Sequence, residues 1–208
     1  PIFHKFVEDK KHATLLIEKV NGKNASTLDI DQKIQVYEKS IEYIRLVGEN
    51  ISEKDKKIIG KRNTIFEILL FPFLMSLTLQ KNTKHARLFA KATFEFIKNI
   101  PAMLSDSHLV LTHRDLHGKN IFVNRKKIFL FDLENTVFAN TNVEYVVLML
   151  ATWREKKLRK FLWSKIKNKK IAKALTIKMC IHYLTESKLP TYKKEDYLEA
   201  LDWTIKTK

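Results

Sequence analysis

The sequence predicts an α+β fold, mostly helical, and three observations carry that reading. Apolar residues recur at three- and four-residue spacing over most of the 208 residues, the mark of amphipathic helices. Short runs of Val, Ile, Leu and Phe bounded by turn residues occur near the N-terminus and again between 109 and 131, and these predict strands. Gly and Pro number four each, which excludes a β-solenoid or a collagenous chain. With 45% hydrophobic and 11% aromatic residues the composition is globular rather than disordered. The single cysteine, Cys180, excludes a disulfide framework and a Cys-based zinc site.

Along the chain, residues 2–7 and 14–20 predict two strands around the polar turn 8–12, and Asn21-Gly22 ends the second. Ile30, Ile34, Tyr37, Ile41, Ile44 and Val47 share one helical face, so 29–47 is a helix. Residues 54–79 read as helical with interruptions at Gly60 and Pro72, and 85–100 as a helix stopped by Pro101. Residues 109–112 predict a strand, and 121–123 and 128–131 a hairpin. Helical periodicity returns over 143–153, 155–167, 171–186 and 194–206. The expected core includes Leu16, Ile17, Ile34, Ile41, Leu111, Ile121, Phe129, Leu130 and Leu148.

The 39 Lys and Arg against 23 Asp and Glu give a net charge of +16, which invites an anionic partner. The charge is spread along the chain, with one denser stretch over 154–173 alternating with apolar residues. It reads first as a solvated helix face, with nucleic acid or a membrane surface as weaker alternatives. The most apolar window, 65–79, contains Glu67 and Pro72 and falls short of an uninterrupted span, so a buried helix, kinked or broken near Pro72, is expected there, with an interfacial membrane helix as the lesser alternative. The chain opens Pro-Ile-Phe-His, without a basic-then-apolar leader pattern, and the expected compartment is the cytoplasm.

Chemistry concentrates on the β segment, in His113-Arg114-Asp115-Leu116-His117-Gly118-Lys119-Asn120 and Phe131-Asp132-Leu133-Glu134. Asp115 and Asn120 lie in a loop leaving one apolar strand, and Asp132 follows another, 17 residues after Asp115. The hairpin between them is long enough to return Asp132 beside Asn120. An amide oxygen and a carboxylate suit Mg²⁺, which takes its remaining ligands from phosphates and water. Asp115, slightly apart, is then free to accept a hydroxyl proton, and this set is the minimum for phosphoryl transfer from a nucleotide.

At these residues the sequence resembles the aminoglycoside phosphotransferase and choline kinase family, members of the protein-kinase-like fold. H-R-D-L-H-G-K-N followed by F-D-L-E looks like that family's catalytic loop (113–120) and metal-binding segment (131–134). The resemblance implies an ATP- and Mg²⁺-dependent kinase acting on a small-molecule hydroxyl, with Asp115 as base and Asn120 and Asp132 as metal ligands. Glu134 is implied as an auxiliary metal group or a structural hydrogen-bonding residue. His117 is implied near the transferred phosphate or as a loop-shaping residue, His113 as structural, and Lys119 as solvated. Arg114 departs from the small or polar residue common in the small-molecule branch.

Upstream, Leu15-Leu16-Ile17-Glu18-Lys19-Val20-Asn21-Gly22 resembles the strand and hinge that hold adenine. Carried over by position, the Glu18 carbonyl accepts from the adenine amine and the Val20 N–H donates to the ring. By this resemblance residues 1–22 are a remnant of the N-lobe with its hinge, and 23–208 the helical C-lobe. A phosphate-covering loop and a strand Lys have no room before Gly22, so the chain is expected to be incomplete as a kinase and to bind ATP weakly by itself. The competing readings are a protein or lipopolysaccharide kinase-like enzyme, and a non-catalytic basic module binding nucleic acid or membrane.

Overall fold

The computed structural model describes residues 3–8, 13–17, 21–106, 108–125, 127–186 and 193–207, the first two stretches as backbone. The small strands form three separate antiparallel sheets. β1 (Phe3–Glu8) pairs with β2 (Ala13–Ile17). β3 (Lys23–Asn24) pairs with β5 (Ile121–Asn124), which pairs in turn with β6 (Lys127–Leu130). β4 (Leu109–Thr112) pairs with β7 (Val137–Asn140).

Around these strands stand the helices α1 (Ile30–Asn50), α2 (Glu53–Ile59), α3 (Thr64–Lys81), α4 (Ala86–Ser105), α5 (Val143–Ala151), α6 (Lys156–Lys165), α7 (Lys169–Thr185) and α8 (Lys194–Lys206). Their starts follow local chemistry. Asp29 accepts from the N–H groups of Asp31 and Gln32 at 3.0 and 2.9 Å, and Asn63 accepts from that of Phe66 at 3.0 Å. α7 is the central post and packs against α3, α4, α5 and α8. It is buried nearly all round, with Ala172, Ala174, Ile177, Cys180 and Ile181 fully covered. Of the expected core residues, Ile41, Leu111, Ile121 and Leu148 are buried, and Ile34 and Leu130 pack against the core partly covered. Phe129 is only half-buried, and the side chains of Leu16 and Ile17 lie outside the described residues.

Three expectations need correction. The helix over 54–79 breaks at Gly60, one of its two expected interruptions, but not at Pro72. Gly60 adopts φ 82°, and the freed backbone then joins the β7 edge, where Arg62 N–H donates to Phe138 O at 2.9 Å and Phe138 N–H to Gly60 O at 3.1 Å. Pro72 lies inside α3, and Pro101 lies inside α4 rather than stopping it. Both prolines are on exposed sides, where the carbonyl four residues back can tilt toward water. The helix over 65–79 is also not a buried one, because Ile65, Phe66, Leu69 and Phe73 are 60–73% exposed. The strand β7, Val-Phe-Ala-Asn, escaped the sequence reading; it pairs with β4 and buries Phe138 and Ala139.

Candidate active site

The loop between β4 and β5 is built from its ends inward. β4 delivers His113, which is fully buried and whose N–H donates to Glu144 Oε2 at 2.6 Å. The N–H of Arg114 reaches the same oxygen at 3.3 Å. Arg114 itself takes φ 64°, a left-handed conformation uncommon for a side-chain-bearing residue. Glu144 therefore clamps a strained loop from the buried side of α5. Burial pushes its carboxyl up to about 7, against the opposing pull of the Arg114 and His113 N–H groups and of the Arg45 and Arg114 charges. The ring of His113 reaches across to Phe131 O, with Nε2 at 2.8 Å, tying β4 to the residue before Asp132. Its expected structural role is thus given a partner.

Leu116, fully buried, anchors the middle of the loop. Asn120 donates through Nδ2 to Asp115 O at 2.9 Å and to Asp115 Oδ2 at 3.1 Å. That orientation leaves Asn120 Oδ1 outward as an acceptor. The Asn120 N–H donates to His117 O at 2.9 Å, and the His117 N–H to Asp115 O at 2.8 Å, closing the turn. His117 Nε2 stands 3.7 Å from Asp115 Oδ1, too long for a hydrogen bond but in contact with the base candidate. Gly118 lets this turn touch the segment after β3. A Cβ there would stand 2.6 Å from Ser26 N, and Asn24 Nδ2 donates to Lys119 O at 3.1 Å.

The β5–β6 hairpin brings the second acid back. Ile121 pairs with Leu130, and Phe131 N–H donates to Asn120 O at 2.9 Å. Asp132 follows directly, at φ 61° and ψ 59°, exposed, at the head of a short 3-10 turn that carries exposed Glu134. Asp115, Asn120 and Asp132 thus share one end of the hairpin, with His117 beside Asp115. Among the described residues no three His, Cys, Asp or Glu side chains gather as a metal-holding group, so Glu134 does not complete an all-protein cage. Glu18 and Val20 lie outside the described residues. A cavity of about 920 Å³ is lined by Asn21–Lys23, α1 and the β5–β6 turn and includes none of these side chains.

A second polar group stands behind Arg114. Glu67 of α3 pairs with Arg62 and lies 3.6 Å from Lys178 of α7. Burial lowers the pKa of Arg114, and the Arg62 charge lowers it further. Burial likewise lowers Lys178, with Glu67 opposing and Arg62 and Arg114 adding to the fall. Burial raises the pKa of Tyr183, and the Glu186 and Asp115 carboxylates add to the rise. Sequence reading missed Glu144, Asn24 and this cationic group. Glu144 did leave a signal, as the lone carboxylate in the apolar run of α5.

No family model matches the sequence, and no curated protein matches it. Among solved structures, the complex of spectinomycin phosphotransferase APH(9)-Ia with ADP and spectinomycin superposes with a TM-score of 0.63 at 12% identity, over 95% of this chain and 69% of that one. This chain has an aminoglycoside phosphotransferase-like kinase fold. The AMP-bound complex of the same phosphotransferase superposes with a TM-score of 0.56 at 12% identity, over 94% of this chain and 68% of that one. That fold is mostly helical α+β, as is the architecture described above with its short antiparallel pieces.

Proposed function

We propose that the chain is the catalytic lobe of a phosphotransferase that moves the γ-phosphate of ATP to a hydroxyl of a small molecule. The observation that carries this is the Asp115–Asn120 pair set beside Asp132 by the β5–β6 register. The donor chemistry fits Mg²⁺: the free amide oxygen of Asn120 and the exposed carboxylate of Asp132 are hard oxygens, too few to enclose the ion without phosphate and water. Asn120 and Asp132 would hold it, with Glu134 on the outside. When bound, Mg²⁺ supplies charge neutralisation of the nucleotide phosphates.

Asp115 is held by Asn120 through one oxygen, and its side chain is 39% exposed, so the other oxygen can take the proton of an incoming hydroxyl. His117, in contact with that second oxygen, limits where the hydroxyl can sit. Glu144 and His113 keep the loop in its left-handed turn, so the base is oriented before substrate arrives. The hinge backbone at Glu18 and Val20 would hold the adenine. Residues 23–208 form the lobe that carries this chemistry.

The test is acceptor-dependent ADP release by the full-length protein with Mg-ATP. The panel spans amino sugars, choline, neutral sugars and sugar phosphates. Turnover with at least one hydroxyl compound, lost in Asp115→Asn while Mg-ATP still binds, supports the reading. Bound Mg-ATP with no transfer to any of them counts against it.

A further inference from the structure

The surface of α3 does not suit a helix that serves only the core. Ile65, Phe66, Leu69 and Phe73 are 60–73% exposed, whereas Glu67 and Phe71 from the same turns are buried. α4 repeats the pattern, with Phe94, Ile97 and Leu104 at 56–70% exposure. The two helices form a hairpin through Thr83–His85, stack Phe71 on Phe96 with ring centroids 3.8 Å apart, and both lean on α7. The sides turned away from α7 therefore form one surface. Each of these side chains adds on the order of 100 Å². Together they exceed the few hundred Å² that a soluble monomer ordinarily leaves open.

The charge on this surface has one sign. Between residues 61 and 105 the basic residues are Lys61, Arg62, Lys81, Lys84, Arg87, Lys91 and Lys98, and the acids are Glu67 and Glu95. Both acids are turned inward. Glu67 pairs with Arg62 and Lys178, and Glu95, with its side chain 14% exposed, is shared between Lys98 at 3.8 Å and Lys173 at 3.6 Å. Arg87, Lys91 and Lys98 alternate with Phe94 and Ile97 along the exposed stripe of α4. By length and composition α3 could cross a bilayer. Its paired Glu67 and its packed Phe71, Leu74, Met75 and Thr78 hold it on the protein instead, offering one side outward. An apolar side bordered by Lys and Arg suits the plane of a membrane interface.

We propose that the α3–α4 face docks on an anionic phospholipid bilayer, with Phe66, Leu69, Phe73 and Phe94 entering the headgroup–acyl boundary and Arg87, Lys91 and Lys98 meeting lipid phosphates. A second copy of the chain fits poorly, because a two-fold contact would set these basic residues against one another with no exposed carboxylate to answer them. Nucleic acid would answer the charge but leave the Ile, Leu and Phe side chains without an apolar environment. The basic stretch on α6 differs, because the apolar side chains between its lysines are covered, Leu158 and Leu162 fully and Phe161 and Trp163 in part, and leave no exposed apolar side there. α3 begins two residues after Arg62, within the cationic group behind Arg114. A docked chain therefore holds its catalytic loop near the lipid headgroups. The proposal goes beyond the phosphotransferase reading and does not depend on it.

Vesicle flotation of the full chain tests this, with phosphatidylcholine vesicles against vesicles of equal parts phosphatidylcholine and phosphatidylglycerol. The wild type is expected to float with the anionic vesicles. Leu69→Ser with Phe94→Ser, both at exposed sites, should lower binding by at least about tenfold without changing the far-UV circular dichroism. Lys91→Gln with Lys98→Gln should lower binding to anionic vesicles roughly thirtyfold. Lys156→Gln with Lys160→Gln on α6 should leave it nearly unchanged. Three results would overturn the proposal. The wild type could fail to float with the anionic vesicles, or the α6 variant could lose as much binding as the α4 variant. Alternatively, the chain could run as a dimer that Leu69→Ser with Phe94→Ser converts to a monomer.

Discussion

The candidate-site hairpin and the α3–α4 hairpin are specified in different ways. From His113 to Glu134 the site is a compact stretch of sequence in which spacing does most of the positioning. A turn closes over Asp115, His117 and Asn120, and an antiparallel register returns Asp132. The α3–α4 hairpin holds few polar instructions. Its helices are apolar on several sides, and the side that becomes core is the one α7 covers. In the first region a single atom matters; in the second, what matters is which surface is left over.

The largest expected effects lie in the first region. Asp132→Ala should abolish metal binding at the hairpin end, read as loss of Mn²⁺-induced broadening of the Asn120 and Asp132 backbone resonances. If the broadening persists, the metal is held elsewhere. Asp115→Asn should lower kcat by about 10²-fold or more, the low end of a general-base contribution, and leave Mg-ATP affinity nearly unchanged by calorimetry.

Within α3 the comparison sharpens to neighbouring residues. Phe71→Ala removes the buried ring stacked on Phe96 and should cost about 3–5 kcal/mol in chemical denaturation. Leu69→Ser, two residues away at 73% exposure, should change stability by no more than about 0.5 kcal/mol. Equal costs at the two positions would mean that the outward side is covered.

Between these falls Glu144. Its folded carboxyl, raised to about 7 by burial, holds its proton more tightly than an unfolded one with the ordinary value of 4.5. The folded state therefore binds more protons in this window, and stability falls as pH rises through it. Denaturation at pH 4.5 and pH 8 should show the wild type losing up to a few kcal/mol relative to Glu144→Gln, which still accepts from the His113 and Arg114 N–H groups. The same difference at both pH values would show that the carboxyl stays ionised throughout. Phe71→Ala should show no such pH dependence relative to wild type, because it removes apolar packing only.

Much of the architecture follows from short-range rules. The three- and four-residue apolar spacing marks the helices, and Asp29 and Asn63 at two of their starts have side chains that can cap free N–H groups. The run from His113 to Asn120 and the Asp132 that follows β6 carry the candidate chemistry because turns and hairpin registers act over a few residues. Tertiary structure decided the rest, through contacts between residues far apart in the chain. Pro72 and Pro101 stay within their helices because they face outward. β7 lies beside β4, and the backbone freed at Gly60, where the sequence already marks an interruption, is placed by its bonds to Phe138. Glu144 is separated by 31 residues from the N–H of His113 that it holds, and no local pattern pairs them. The exposure of Ile65, Phe66, Leu69 and Phe73 is of the same kind: apolar composition favours burial, but burial requires a partner, and α7 covers only one side of α3.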